Sequence, residues 1–103
     1  MNLSALQLAI VVVHAKGCGH CREYLPRVRK IAEKYAACIP TVLIDAAEGD
    51  LQAQLATALG ARVTPTTTLI RNGSPTPLAI EGNVKDAEIE KLYKAVAGEC
   101  AVG

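Results

Sequence analysis

The stretch that decides the fold is residues 8–21, which read LAIVVVHAKGCGHC. Its first six residues are all apolar and mostly β-branched, a run typical of a strand that is buried on both faces. A turn containing Gly17 follows, and a helical pattern begins directly after it. The two cysteines Cys18 and Cys21 are therefore predicted to lie where a central strand passes into the N-terminus of a helix.

Strands and helices are predicted to alternate through the first part of the chain. After the first helix comes a strand at residues 41–44, then a second helix that ends at Gly60, a typical C-terminal stop. Pro26 lies inside the first helix and predicts a kink after its first turn. The predicted apolar faces consist of Leu25, Val28, Ala32 and Tyr35 in the first helix, and of Leu51, Leu55, Ala58 and Leu59 in the second.

The second half of the chain reads as a hairpin followed by a helix. A strand at 66–70, an Asn72-Gly73 turn and a strand near 78–80 form the hairpin, and Pro75 and Pro77 place the last strand at the sheet edge. Asn83 or Asp86 is predicted to cap the final helix. The apolar face of that helix is formed by Ile89, Leu92, Tyr93 and Val96. The order β-α-β-α-β-β-α predicts an α/β fold with a mixed four-stranded sheet and helices on both faces.

Length and composition predict one globular domain without a charged partner surface. The chain has 103 residues, of which 50% are hydrophobic, and we expect a single core over about 6–97 with a short tail at 98–103. A net charge of +1 predicts no basic surface that would bind nucleic acid or an anionic membrane. We also expect a monomer. No basic leader precedes the fold, which favours the cytoplasm; removal of a leader would make the protein periplasmic or secreted.

The Cys18-Gly19-His20-Cys21 tetrad carries the chemistry that the sequence predicts. At a helix start, unpaired N–H groups and the helix dipole stabilise an anion, which favours the Cys18 thiolate as the nucleophile. Cys21 lies one turn further on, within reach, and is predicted to be the sheltered resolving thiol. The His20 imidazole, when charged, would stabilise the thiolate further. No second ligand pair completes a zinc site, so we expect no metal.

The motifs along the chain resemble those of the thioredoxin superfamily. They are Val11-Val12-Val13 before the tetrad, Pro26 after it, Val63-Thr64-Pro65-Thr66, Arg71-Asn72-Gly73 and Gly82. The tetrad itself resembles the active site of protein disulfide isomerase domains. The resemblance implies a thioredoxin-like fold, with Pro65 as a cis-proline facing the cysteines. It also implies that Thr64, with Gly19, contacts an extended substrate peptide.

The chain departs from the family pattern at several positions. Only seventeen residues precede Cys18, so we expect the family's first strand and helix to be reduced or missing. Gly17 replaces a tryptophan, while Val12 and Thr41 stand where thioredoxin has a buried acid and its lysine partner. His14 lies on the same strand face as Val12 by period-2 alternation and is a candidate proton path to Cys21; a packed or rim histidine is the alternative.

These observations favour a thiol–disulfide oxidoreductase that exchanges disulfides with protein substrates. The redox pair would work without a cofactor, and a reductase or glutathione would supply electrons. One alternative is a glutathione-dependent, glutaredoxin-like reductase, which the short N-terminus favours. The other is a peptide-binding module at Thr64 and Pro65 with secondary redox activity.

Cys38 and Cys100 are the two remaining cysteines. In a thioredoxin-like topology both helices that precede them run away from the active site on one sheet face, so their ends could meet. A structural Cys38–Cys100 disulfide would then tie the tail to the core, whereas the alternative is two separate thiols.

Overall fold

The computed structural model of the protein describes residues 7–100, apart from the Cys100 side chain. Seven elements follow one another in the predicted order: β1 (Leu8–His14), α1 (Gly19–Glu33), β2 (Thr41–Asp45), α2 (Asp50–Ala58), β3 (Thr66–Arg71), β4 (Ser74–Glu81) and α3 (Asp86–Cys100). The α/β class and the thioredoxin-like element order are thereby confirmed.

The four strands form one mixed sheet in the order β2-β1-β3-β4. β1 is parallel to β2 and antiparallel to β3, and β4 is antiparallel to β3. β4 therefore lies at the edge, as Pro75 and Pro77 predict, since neither residue can donate a backbone hydrogen bond. Because β1 is central, its C-terminal end carries the active-site loop from the middle of the sheet.

Helices cover both faces of the sheet and build two apolar layers. Residues 9–13 of β1 are 0% exposed and contribute to both layers in alternation. On one face, which we call the α1/α3 layer, Ile10 and Val12 pack with both of these helices. On the other face Val11 and Val13 pack with α2. α1 and α3 thus lie on the same face, as the sequence predicts.

The apolar faces of two helices differ from the prediction. In α1 the buried residues are Cys21, Tyr24, Val28 and Ile31, so the buried stripe is rotated away from Leu25 and Tyr35, which are only partly buried. In α2 the buried residue is Ala56 and Leu51 is 54% exposed, but Leu59, the C-cap residue, is buried as predicted. Apolar spacing marks a broad face, but contact with the sheet selects which residues on it are covered. The predicted face of α3, by contrast, is buried throughout.

Two predicted turns have the expected backbone. Asn72 and Gly73 both have positive φ and form a two-residue hairpin turn between Arg71 and Ser74. After α2, Gly60 has φ +77°, and the N–H groups of Gly60 and Ala61 donate to carbonyls in the last turn of the helix. This is a Schellman motif, and it sends the chain back towards β3.

The start of α3 contradicts the predicted cap. The helix begins at Asp86, and the carbonyl of Lys85 accepts the first helical hydrogen bonds, so neither Asn83 nor Asp86 is the N-cap. Both side chains instead accept hydrogen bonds from Arg27 of α1. A cationic partner from another element has replaced local capping.

Candidate active site

A tight turn brings the chain from β1 to Cys18. The Cys18 N–H donates to the Ala15 carbonyl at 3.1 Å, and Gly17 has φ +86°. A residue with a side chain is strained at this φ, which accounts for glycine where the family has tryptophan. Asp45 at the end of β2 supports the turn, because its Oδ1 accepts the Lys16 N–H at 3.2 Å.

Cys18 and Cys21 form a disulfide across the first turn of α1. Cys18 is the N-cap residue, and its Sγ accepts the Cys21 N–H at 3.1 Å. The sulfur thus occupies the place that a serine or aspartate oxygen normally takes at a helix start. Cys18 is partly buried, whereas Cys21 is 2% exposed, so only one sulfur of the pair is open to a partner.

The segment before β3 forms the opposite wall of the site. The Thr64–Pro65 peptide bond is cis. Cys18 Sγ lies 3.7 Å from the Thr64 carbonyl oxygen, so the segment and the disulfide are in contact. The Pro65 carbonyl accepts the Gly82 N–H at 2.7 Å, which brings a third segment, residues 82–85 between β4 and α3, to the same place.

The other residues of the tetrad lie on the surface. Gly19 and His20 are both exposed, so an approaching molecule meets them before it reaches Cys21. An exposed imidazole at the first turn can act on the sulfur pair only through its charge or through contact with the partner.

His14 lies at the end of β1, opposite Asp45 of β2. It is partly buried, and strand alternation places it on the α1/α3 face with Val12. The pKa of Asp45 is lowered, foremost by a hydrogen bond from the Ala47 N–H and then by one from the Lys16 N–H. The nearby charge of His14 lowers this pKa further. A carboxylate held in its charged form thus stands beside this imidazole.

Two hydroxyl pairs occupy the α1/α3 layer, and sequence reasoning missed both. Tyr24 and Thr67 are hydrogen-bonded at 2.6 Å in the interior, and Tyr93 and Thr41 are bonded at 2.6 Å near the far end of the sheet. Thr67 is paired with Val12 across the strands, so the first hydroxyl pair lies next to the position that holds the acid in thioredoxin. The run Thr66-Thr67-Thr68 was the available signal, because buried hydroxyls require partners.

Burial raises the pKa of the tyrosine hydroxyl in both pairs. Burial raises the pKa of Tyr24, although its bond to Thr67 works against this. Burial raises the pKa of Tyr93 to about 12. Both hydroxyls therefore stay protonated at neutral pH and can act as hydrogen-bond donors.

Cys38 follows α1 at the opposite pole of the molecule. It lines a surface depression together with Arg71 and with Glu99 of α3, so the ends of the two helices do lie close together. None of the described cysteines is a free thiol. The Cys100 side chain is outside the described residues, and the Cys38–Cys100 disulfide stays a prediction.

Residues 7–100 contain neither a metal-binding cluster nor a helix that could cross a membrane. No group of three or more His, Cys, Asp or Glu side chains is arranged to hold a metal ion. No helix in this range has the length and hydrophobicity needed to cross a membrane.

Comparisons with known proteins agree on one family. The family model described as Thioredoxin matches residues 2–95. A probable protein disulfide-isomerase A4 from Caenorhabditis elegans is 32% identical over 71 residues, which are 69% of this chain but only 12% of that protein. A disulfide bond formation protein from Brevibacillus choshinensis is 29% identical over 85 residues, covering 82% of this chain and 70% of that protein.

A solved structure shows the same fold. The crystal structure of oxidised thioredoxin O2 from Arabidopsis thaliana superimposes with a TM-score of 0.77 at 21% sequence identity. The match covers 93% of this chain and 84% of that chain.

Proposed function

The chain belongs to the thioredoxin family and its Cys18–Cys21 disulfide makes it a thiol–disulfide oxidoreductase; from that premise we propose that it exchanges disulfides with protein substrates. The observation that carries the proposal is the unequal burial of the two sulfurs at one helix start. Cys18 is accessible and caps the helix, while Cys21 is enclosed. Proteins of this family use the disulfide itself as the redox group and need no cofactor.

Reduction of a substrate proceeds in two exchanges. The reduced Cys18 thiolate attacks one sulfur of the substrate disulfide, a mixed disulfide forms, and the first substrate sulfur leaves as a thiolate. The Cys21 thiolate then attacks Cys18 Sγ, which closes the Cys18–Cys21 disulfide and releases the second substrate thiolate. Two electrons pass to the substrate, which takes up two protons. Oxidation of a dithiol substrate is the reverse sequence.

The helix start makes Cys18 the attacking group. The Cys21 N–H that points at Cys18 Sγ would bind a thiolate more strongly than a thiol, and the helix dipole adds to this preference. Among the described residues no hydrogen-bond donor points at the Cys21 sulfur, and burial of Cys21 protects it from outside partners. His20 favours the thiolate through its charge, and His14 is the candidate proton path during resolution.

The second wall holds the substrate. Thr64 offers backbone groups beside Cys18 Sγ, and Gly19 leaves the approach from the helix side open. An extended peptide bound along residues 64–65 would present its disulfide to Cys18. A reductase or glutathione then restores the dithiol, and the protein acts as a monomer.

Insulin disulfide reduction with dithiothreitol as donor tests the proposal. We expect turnover by the wild-type protein, none above background by Cys18→Ser, and an accumulating mixed disulfide with Cys21→Ser. A peptide-binding module would leave the reduction rate at background for all three. Replacing dithiothreitol by glutathione or by a thioredoxin reductase identifies the donor, since a glutaredoxin-like enzyme would be active with glutathione alone.

A further inference from the structure

One arginine on α1 reaches the segment that borders Pro65. Arg27 Nη1 donates to Asp86 Oδ1 at 2.6 Å, and Nη2 donates to the Val84 carbonyl at 2.8 Å and to Asn83 Oδ1. Two positions between β4 and α3 and the first residue of α3 are thus bound to a single side chain. Its own side chain is 27% exposed, so water competes for these bonds less than at an open surface.

Neighbouring side chains on α1 fix the guanidinium. Arg27 lies over the ring of Tyr24, 5.6 Å from its centroid, and its Nε is 3.8 Å from Glu23 Oε1. Glu23 Oε2 in turn accepts a hydrogen bond from Asn83 at 3.1 Å. The guanidinium is therefore held over the Tyr24 ring and beside the Glu23 carboxylate.

Hydrogen bonds join the three segments of the site to one another in a closed cycle. Tyr24 of α1 is bonded to Thr67, two residues after Pro65, and the Pro65 carbonyl accepts the Gly82 N–H. From Gly82 the chain runs directly into Asn83 and Val84, which Arg27 binds back to α1. The helix that carries the cysteines, the strand that follows Pro65 and residues 82–86 therefore cannot shift independently.

We propose that Arg27 is a positioning residue that holds residues 82–86 as the outer wall of the peptide groove beside Pro65. This inference rests on the proposed function, because it assigns that wall to binding of an extended protein substrate. Arg27 makes no contact with either sulfur among the described bonds, and it acts on substrate affinity. The reactivity of Cys18 is set at the helix start and does not depend on it.

The experiment compares a protein disulfide with a small one. Reduced wild-type, Arg27→Met and Arg27→Lys proteins are assayed for KM and kcat on insulin, and for the rate with 5,5′-dithiobis(2-nitrobenzoic acid). Methionine keeps the apolar stem and removes the donors; lysine keeps the charge without the planar fork. We expect Arg27→Met to raise KM for insulin about tenfold, as loss of roughly 1.4 kcal/mol of binding would. The kcat and the rate with the small disulfide should stay within about twofold, and Arg27→Lys should fall between.

Lys34→Met is the matched control. Lys34 is the C-cap residue of α1 and pairs with Glu90 of α3; Asp86 acts on it through charge alone, and no described hydrogen bond joins it to residues 82–86. We expect its KM for insulin to equal that of the wild type. Val84 is bound through its backbone carbonyl, so no side-chain substitution removes that bond. If Arg27→Met does not fold, Asn83→Ala and Asp86→Asn test the other two contacts. Both variants should raise KM for insulin.

The outcomes separate the two claims. An unchanged KM in Arg27→Met and in the partner variants would overturn the positioning role, even if stability falls. Equal losses on insulin and on the small disulfide would also overturn it, since the effect would then lie at the cysteines. Absence of insulin turnover by the wild type would instead contradict the proposed function.

Discussion

Cys18 and Cys38 lie before and after helix α1, in different surroundings. At the start, Cys18 is the N-cap, and its sulfur faces the N–H of Cys21. Cys38 lies five residues beyond Glu33, the last residue of the helix. Because the helix dipole acts only within the first and last turns, it favours a thiolate at Cys18 and does not reach Cys38.

The neighbours of the two cysteines differ in the same way. Cys18 Sγ lies 3.7 Å from the Thr64 carbonyl oxygen, in the segment proposed to bind substrate. Cys38 lies in a depression beside an ion pair between Arg71 and Glu99. The segment proposed to bind substrate thus lies beside Cys18 and not beside Cys38.

The largest expected effect on the rate of insulin reduction comes from replacing Cys18 and Cys38 one at a time. Cys18→Ser should lower the rate of insulin reduction by about a thousandfold or more, because the nucleophile is lost. Cys38→Ser should retain the wild-type rate within about twofold, although it should be less stable if the predicted Cys38–Cys100 disulfide forms. Non-reducing peptide mapping decides that pairing. A large loss of rate in Cys38→Ser would break the contrast between the poles.

The next effect concerns the reduction potential. His20→Pro should lower it, because a charged imidazole near Cys18 stabilises the thiolate of the reduced form. The decrease is expected on the scale of the roughly 90 mV by which the reduction potentials of protein disulfide isomerase and thioredoxin differ. Equilibration with glutathione of known ratio measures it. His14→Asn is the comparison: it should leave the potential near the wild-type value and alter the pH profile of resolution. A potential that rises in His20→Pro would contradict the electrostatic argument.

The two hydroxyl pairs provide a smaller, matched test. Tyr24→Phe and Tyr93→Phe each leave a threonine hydroxyl without its partner and should cost about 1–3 kcal/mol of unfolding free energy. The raised pKa of Tyr93, about 12, means that the folded state keeps a proton that the unfolded chain loses near pH 10. Its contribution is therefore complete below pH 10 and is lost as pH rises towards 12.

Urea unfolding at pH 8, 10 and 11 measures this dependence. The wild type should lose stability over the range faster than Tyr93→Phe does. Parallel decline of the two proteins would show that Tyr93 is not shielded from water as the structure indicates.

The smallest effects are expected at the glycines on either side of Cys18. Gly17→Ala should cost about 1 kcal/mol, because Gly17 has φ +86° and a side chain is strained there. Gly19 begins the helix, and an added Cβ would meet nothing within 4 Å. Gly19→Ala should therefore keep or slightly raise the stability. Equal losses at both positions in thermal unfolding would contradict the left-handed turn.

Local patterns predicted the elements but not the contacts between distant segments. The apolar run of β1, the Asn72-Gly73 turn and the tetrad each depend on neighbours in sequence, and the structure agrees with all three. Arg27 binds Asp86, 59 positions away, and Tyr24 binds Thr67, 43 positions away. No spacing rule reports such pairs, since they arise only once α1 packs on the sheet. The predicted helix caps Asn83 and Asp86 are wrong for the same reason, because their side chains accept hydrogen bonds from Arg27 instead.

The proposed chemistry depends most on Cys18 being the activated, accessible thiol. The reduced protein should be treated with limiting iodoacetamide at pH 5 to 8, and the label on each cysteine quantified by mass spectrometry. We expect Cys18 to be labelled first, with a midpoint below the ordinary thiol pKa of about 8.5, and Cys21 to be labelled last of the pair. Preferential labelling of Cys21, or equal labelling with an ordinary midpoint, would contradict the account.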